Sequence, residues 1–152
     1  NFVDLIKDAD IDGVITVDYP PEESKYFVAL LKKQGIDSIF LLSPTTQDNR
    51  IKLITEQATG FLYYVSLKGV TGSANIDINQ VSERVNNIKK YSDLPIAVGF
   101  GVRDPETAKQ VALISDAVVI GSRIINEVEN SKQESLLANI RSLLFEIKKA
   151  IS

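Results

Sequence analysis

Short, continuously apolar runs alternate along this chain with segments whose apolar residues recur three and four positions apart. The apolar runs are Gly13–Asp18, Ser38–Leu42, Gly60–Ser66, Pro95–Gly99 and Asp116–Ile120. Continuous rather than alternating hydrophobicity predicts parallel strands covered on both faces. Their starts recur every ~20 to 35 residues, about one βα unit each. The segments between them carry helical signals. Pro20-Pro21-Glu22-Glu23 opens a helix with acids in its first turn and Phe27, Leu30 and Leu31 as its apolar stripe. Thr45-Thr46-Gln47-Asp48 precedes a second, with Ile51, Ile54 and Ala58 facing inward. Asn79 to Tyr91 carries Val81, Val85 and Ile88 at helical spacing. Asp104-Pro105-Glu106 is an N-cap followed by proline at the first helical position. Ile124 to Val128 predicts a short extra helical turn. After it, Ser131 and Glu134 have capping-box spacing and predict the start of a final long helix through Ile147. The opening stretch, Asn1 to Lys7, reads as a helix already under way, with Phe2, Leu5 and Ile6 on one face. The pattern predicts an α/β chain with five parallel strands in one domain over residues 1–152.

Glycine placement sharpens this picture. Gly69-Val70-Thr71-Gly72, Gly99-Phe100-Gly101 and Gly121-Ser122 each follow an apolar run. Glycines at successive strand ends let backbone N–H groups converge without Cβ obstruction, which suits an anionic oxygen cluster. In a (β/α)₈ barrel, phosphate commonly sits on the last βα loops and the N-terminus of a short extra helix. Each segment alone has a plainer reading as a turn or a close-packed glycine, and Gly99-Phe100-Gly101 lacks the third glycine of a dinucleotide fingerprint. Together they predict phosphate binding at the C-terminal face of a barrel. Length qualifies the prediction, because a complete barrel takes about 250 residues and roughly three of eight units are missing. The expected fold is a partial TIM barrel of five parallel βα units.

Composition removes several chemistries. The 152 residues contain no Cys and no His, so thiol nucleophiles, cysteine zinc sites and imidazole acid–base catalysis are excluded within them. They contain no Met either, which, with the abrupt helical opening, predicts that the chain starts inside a longer one. A net charge of −3 gives no electrostatic footprint for nucleic acid. No run is long and apolar enough for a membrane span, and there is no signal-peptide pattern, so a soluble cytoplasmic protein is expected.

The carboxylates do not form an acid–base pair at the strand ends. Asp18 ends the first strand and could be an active-site acid or a cap on the loop before Pro20. Glu22 and Glu23 read as first-turn helix acids, and Asp116 precedes its strand and so belongs to the opposite, stability face. Tyr63 and Tyr64 are adjacent, so one faces the barrel interior and the other the helix layer.

The ordered set of motifs resembles the tryptophan synthase alpha chain family. It comprises Asp18-Tyr19-Pro20-Pro21-Glu22-Glu23-Ser24, Ser43-Pro44-Thr45, Tyr63-Tyr64-Val65-Ser66 with Gly69-Val70-Thr71-Gly72, Gly99-Phe100-Gly101 and Gly121-Ser122. The match runs along essentially the whole chain and covers the family's barrel from just before its fourth strand. The resemblance implies a lyase that cleaves indole-3-glycerol phosphate to indole and glyceraldehyde 3-phosphate in tryptophan biosynthesis. Gly72, Gly101, Gly121 and Ser122 would hold the substrate phosphate, and Tyr63 would line the active site. Gly69 and Thr71 would belong to a loop that closes over substrate, and Asp18 and Pro20 would lie toward a partner. That partner would be a pyridoxal-phosphate-dependent tryptophan synthase beta chain. The alpha chain itself would need no cofactor or metal.

Two departures follow from the same resemblance. The family's catalytic glutamate, at the end of its second strand, and its aspartate in the following loop have no counterpart here, so no catalytic residue is expected in these 152 residues. Leu67 stands where many members carry arginine. Two other readings compete. One is a non-catalytic half-barrel or phosphate-binding module, expected to associate through its open edges. The other is a different phosphate-binding barrel, such as a histidine-biosynthesis isomerase or a pentose-phosphate epimerase, which the lack of His disfavours.

Overall fold

The computed structural model describes residues 2–66, 77–99 and 101–152. In chain order the elements are α1 (Phe2–Asp8), β1 (Gly13–Ile15), α2 (Pro21–Lys33), β2 (Asp37–Leu42), α3 (Asp48–Thr55) and β3 (Leu62–Val65). They continue with α4 (Ile78–Ile88), β4 (Ile96–Gly99), α5 (Pro105–Ala112), β5 (Ala117–Val119), α6 (Ser122–Asn130) and α7 (Leu136–Ile151). The strands form one five-stranded sheet in the order β1-β2-β3-β4-β5, with every neighbouring pair parallel. Sequential parallel strands joined through helices give a half-barrel.

Strand periodicity divides the sheet into two faces. One row, Phe40, Leu42, Leu62, Tyr64, Ile96 and Val98, packs under the helices. Ile51 and Ile54 of α3, Val81, Val85 and Ile88 of α4, and Ala108 and Val111 of α5 close over it, with Ile147 of α7 joining the same core. The alternate row faces the concave side, where register aligns Leu41, Tyr63, Ala97 and Ala117 across four strands. A second, smaller cluster of Val3, Leu31 and Ile36 ties α1 to α2. Phe27 stands at its margin with Phe2 and Tyr19, ring centroids 6.1 and 6.0 Å away.

The apolar runs predicted strands covered on both faces, and here the structure differs. The helix side is sealed, while the concave side is half open: Ile15 is 44% exposed, and Leu41, Tyr63, Val65 and Val119 are only partly buried. Five strands curve around a barrel interior without closing it, so layers of inward side chains meet solvent instead of each other.

Two of the described helix starts, those of α5 and α4, follow side-chain capping chemistry. Asp104 accepts from Thr107 N at 2.7 Å and opens α5 with Pro105 at its first position. Asp77 caps α4 through Gln80 N, one residue or two before the start read from sequence. The predicted capping box at Ser131 does not form. Ser131 ends α6, its Oγ approaching Glu127 Oε1 at 3.3 Å, and α7 begins after Ser135. The expected short turn over Ile124–Val128 is a nine-residue helix, α6, and that longer helix claims Ser131.

Asp116 sits at the N-terminal end of the sheet, as its position before β5 predicted. It accepts from Ile96 N at 2.8 Å and contacts Lys89 Nζ at 3.4 Å, joining the starts of β4 and β5. At the opposite rim, Arg84 of α4 donates to the carbonyls of Pro44 and Thr46, fastening α4 to the segment after β2.

Candidate functional site

The C-terminal ends of β3, β4 and β5 converge on a cleft of about 340 Å³. Tyr63 enters it from the concave row of β3, because strand alternation sends Tyr64 the other way, to 1% exposure under the helices. Burial pushes the Tyr63 phenol above its ordinary value, so it stays protonated and can donate or accept. The Tyr64 hydroxyl is buried without a hydrogen-bond partner among the described residues. Burial raises its pKa too, opposed by the nearby Arg84 guanidinium.

The three glycines at this rim have different physical reasons. Gly99 accommodates a ring: a Cβ built there would stand 2.5 Å from Tyr63 Oη and 2.7 Å from Cε2. Gly101 turns the chain out of β4 at φ 86°, a conformation that L side chains resist. Gly121 has neither excuse. Its φ is −116°, and a Cβ there would meet nothing within 4 Å among the described residues. Open space in front of its backbone is what a ligand approaching the main chain requires.

Gly121 also precedes α6, which starts without a side-chain cap. The first N–H groups of a helix lack intrahelical acceptors and carry the positive end of its dipole. Ser122 adds a hydroxyl at the first helical position. The remaining lining comes from Val102, Arg103, Val119, Arg123 and Asn126. Among the described lining side chains two are cations and none is a carboxylate. Backbone donors, a hydroxyl and two guanidinium groups, one of them paired with Glu127 outside the cleft lining, form a set that can receive an oxyanion.

The structure therefore brings together Tyr63, Gly101, Gly121 and Ser122 of the residues singled out in the sequence. Gly69, Thr71 and Gly72 lie outside the described residues. Asp18 and Pro20 belong elsewhere, in a separate cleft of about 290 Å³ with Thr16, Tyr19, Thr46 and Arg50 at the β1–β2 end of the same rim. Asp18 itself adopts φ 58°, a turn conformation that aspartate tolerates. Sequence reasoning missed Arg103, Arg123 and Asn126. The signal for Arg123 was present: Arg123 and Glu127 are four residues apart beside the Gly121-Ser122 pair.

Comparison with known proteins gives a consistent answer. The family model described as tryptophan synthase alpha chain matches residues 1–152. The chain is 55% identical over 150 residues to the tryptophan synthase alpha chain of Janthinobacterium sp. (strain Marseille), covering 99% of this chain and 57% of the relative. It is 50% identical over 151 residues to that of Nitrosomonas europaea, covering 99% and 55%. Among solved structures, it superposes on the tryptophan synthase alpha subunit of Legionella pneumophila str. Paris with TM-score 0.83 and 36% identity, covering 98% of this chain and 56% of that one. Tryptophan synthase of Mycobacterium tuberculosis matches with TM-score 0.85 and 31% identity, covering 99% and 55%. The chain spans a little over half the length of these relatives. The family match over the whole chain, these identities and the shared half-barrel lead to one conclusion: the chain belongs to the tryptophan synthase alpha chain family.

Proposed function

We propose that this chain holds the phosphate of indole-3-glycerol phosphate in the cleft between β4 and β5, as the phosphate-binding part of an indole-releasing lyase of tryptophan biosynthesis. Gly121 carries the reading: neither its backbone angles nor its packing calls for glycine, and open cleft lies where its side chain would be. Family membership supplies the substrate. Gly101 shapes the neighbouring wall, Ser122 offers its hydroxyl, and Tyr63 provides a half-buried ring face against which an indole can lie.

The proposed reaction breaks the bond between the indole ring and the first glyceryl carbon. The ring carbon gains a proton, the carbinol hydroxyl loses one, and glyceraldehyde 3-phosphate departs. Moving those protons takes acid–base groups. No carboxylate is among the described residues lining the cleft, and the family's glutamate and aspartate have no counterpart in these 152 residues. On this reading the chain binds and orients, using remote phosphate binding to fix the reacting end, and does not cleave by itself. The lack of lining carboxylates equally favours the second reading, a non-catalytic phosphate-binding half-barrel. A beta chain using pyridoxal phosphate is the proposed partner, with the Asp18–Pro20 segment toward it. A cytoplasmic setting goes with this role; no described helix is long and apolar enough to cross a membrane.

Titration calorimetry of the chain with inorganic phosphate, then with an indole-bearing glycerol phosphate analogue, tests the proposal. Saturable binding of phosphate, tighter binding of the analogue and no indole release from indole-3-glycerol phosphate are expected. Phosphate bound no better than chloride would overturn the reading. Equal affinity for the analogue and for bare phosphate would leave the phosphate-binding module in its place.

A further inference from the structure

Arg123 is held in an unusual way for a lining residue. Its Nη1 donates to Glu127 Oε2 at 2.7 Å, and both side chains are largely covered, 31% and 21% exposed. Glu127 is itself positioned, its other oxygen 3.3 Å from Ser131 Oγ. Ser131 in turn accepts from Asn139 Nδ2 of α7 at 2.9 Å. A chain of polar contacts thus runs from the C-terminal helix to the mouth of the cleft and orients one guanidinium there.

The charge placement calls for a reason. A helix N-terminus is electrostatically positive, so a cation in the first turn is disfavoured. Nevertheless α6 has no acid in its first turn and carries Arg123 there. Glu127 pairs with the guanidinium from one turn further along and does not line the cleft, whereas Arg123 does. Its described contact engages Nη1 alone, leaving further N–H donors of the planar fork for a ligand. An anion at the cleft relieves the repulsion and accepts those donors.

Resting on the phosphate-binding reading above, we propose that Arg123 is a specificity-determining residue: it supplies the fixed cation by which the cleft selects a doubly charged phosphate monoester over singly charged esters. The relay Asn139–Ser131–Glu127 positions it. The backbone N–H groups and the Ser122 hydroxyl grip oxygens of either ligand alike, and Arg103, the other lining cation, stands outside this relay. Discrimination by charge requires a fixed full charge.

The test compares sn-glycerol 3-phosphate with its methyl phosphodiester, titrated into the wild-type chain above the second phosphate pKa of about 6. The same titrations are made with Arg123→Gln and Arg123→Lys, with ligand-free thermal midpoints recorded for each. Wild type is expected to prefer the monoester. Arg123→Gln should lose roughly tenfold in monoester affinity or more, while its diester affinity changes little, and Arg123→Lys should recover part of the preference. An unchanged monoester-to-diester ratio in Arg123→Gln overturns the assignment, whether the affinities are intact or both have fallen together. Wild type binding neither ester removes the phosphate reading and this inference with it, an outcome distinct from the first because no variant is needed to see it.

Discussion

The two faces of the sheet are built from the same kinds of residue and do different things. Leu62, Tyr64, Ile96 and Val98 point to the helices and are buried to 1% exposure or less. Their immediate neighbours Tyr63, Val65 and Val119 point to the concave side and remain partly open. Apolar content alone does not separate a core from a binding surface. What separates them is whether another element closes over the row, and on the concave side the lining of the cleft occupies that position. The edges extend the contrast: Val17 beyond β1 is 66% exposed, and Leu137 and Phe145 on α7 are 81% and 65% exposed.

The largest effect should come from the closed face. Ile96→Ala removes a fully buried side chain from the middle strand pair and should cost about 2–5 kcal/mol in urea unfolding; a loss below 1 kcal/mol would erase the distinction between the faces. Next comes a tightly packed place on the open face. Gly99→Ala drives a methyl into the Tyr63 ring and should cost about 1–3 kcal/mol, and replacing Tyr63 by alanine in the same chain should remove most of that penalty. Asp104→Ala, which uncaps α5, should cost about 1 kcal/mol near neutral pH. Its Thr107 hydrogen bonds, side chain first and backbone second, hold the Asp104 carboxyl below its ordinary value. A depressed folded-state pKa stabilises above the unfolded value of about 4, and that contribution fades as pH falls through the folded value. The difference between wild type and variant should therefore persist at neutral pH and shrink in acid; a gap that widened in acid would refute the assignment. The smallest stability change belongs to the site. Gly121→Ala should shift unfolding by less than about 0.5 kcal/mol, because its new methyl meets nothing, while weakening phosphate binding measured by calorimetry.

Much of this organisation was legible in the sequence. All five strands lie within their predicted runs or a residue beyond, because buried parallel strands leave uninterrupted apolar stretches. The split roles of Tyr63 and Tyr64 followed from strand alternation alone. Helix ends were harder. Ser131 and Ser135 both precede helical sequence, and nothing local shows that Glu127 and Asn139 engage the first of them. The site was partly legible for a similar reason. Glycines announce a backbone requirement without saying which one, and only the three-dimensional structure separates Gly99, needed for a ring, from Gly121, whose side-chain position no described residue fills. Asp18 and Pro20 share the rim with the cleft yet line a different one, a separation that strand order shows and linear spacing does not.

The contact between Tyr63 and Gly99 has a consequence for descent as well as for stability. The two residues lie on paired strands, and the ring fills the place a side chain on β4 would take. A lineage that gains a side chain at position 99 while the tyrosine is present passes through a crowded intermediate. One that first shortens residue 63 does not. Relatives should therefore show the small residue at one position or the other, and the order in which ancestors acquired such changes should run from β3 to β4.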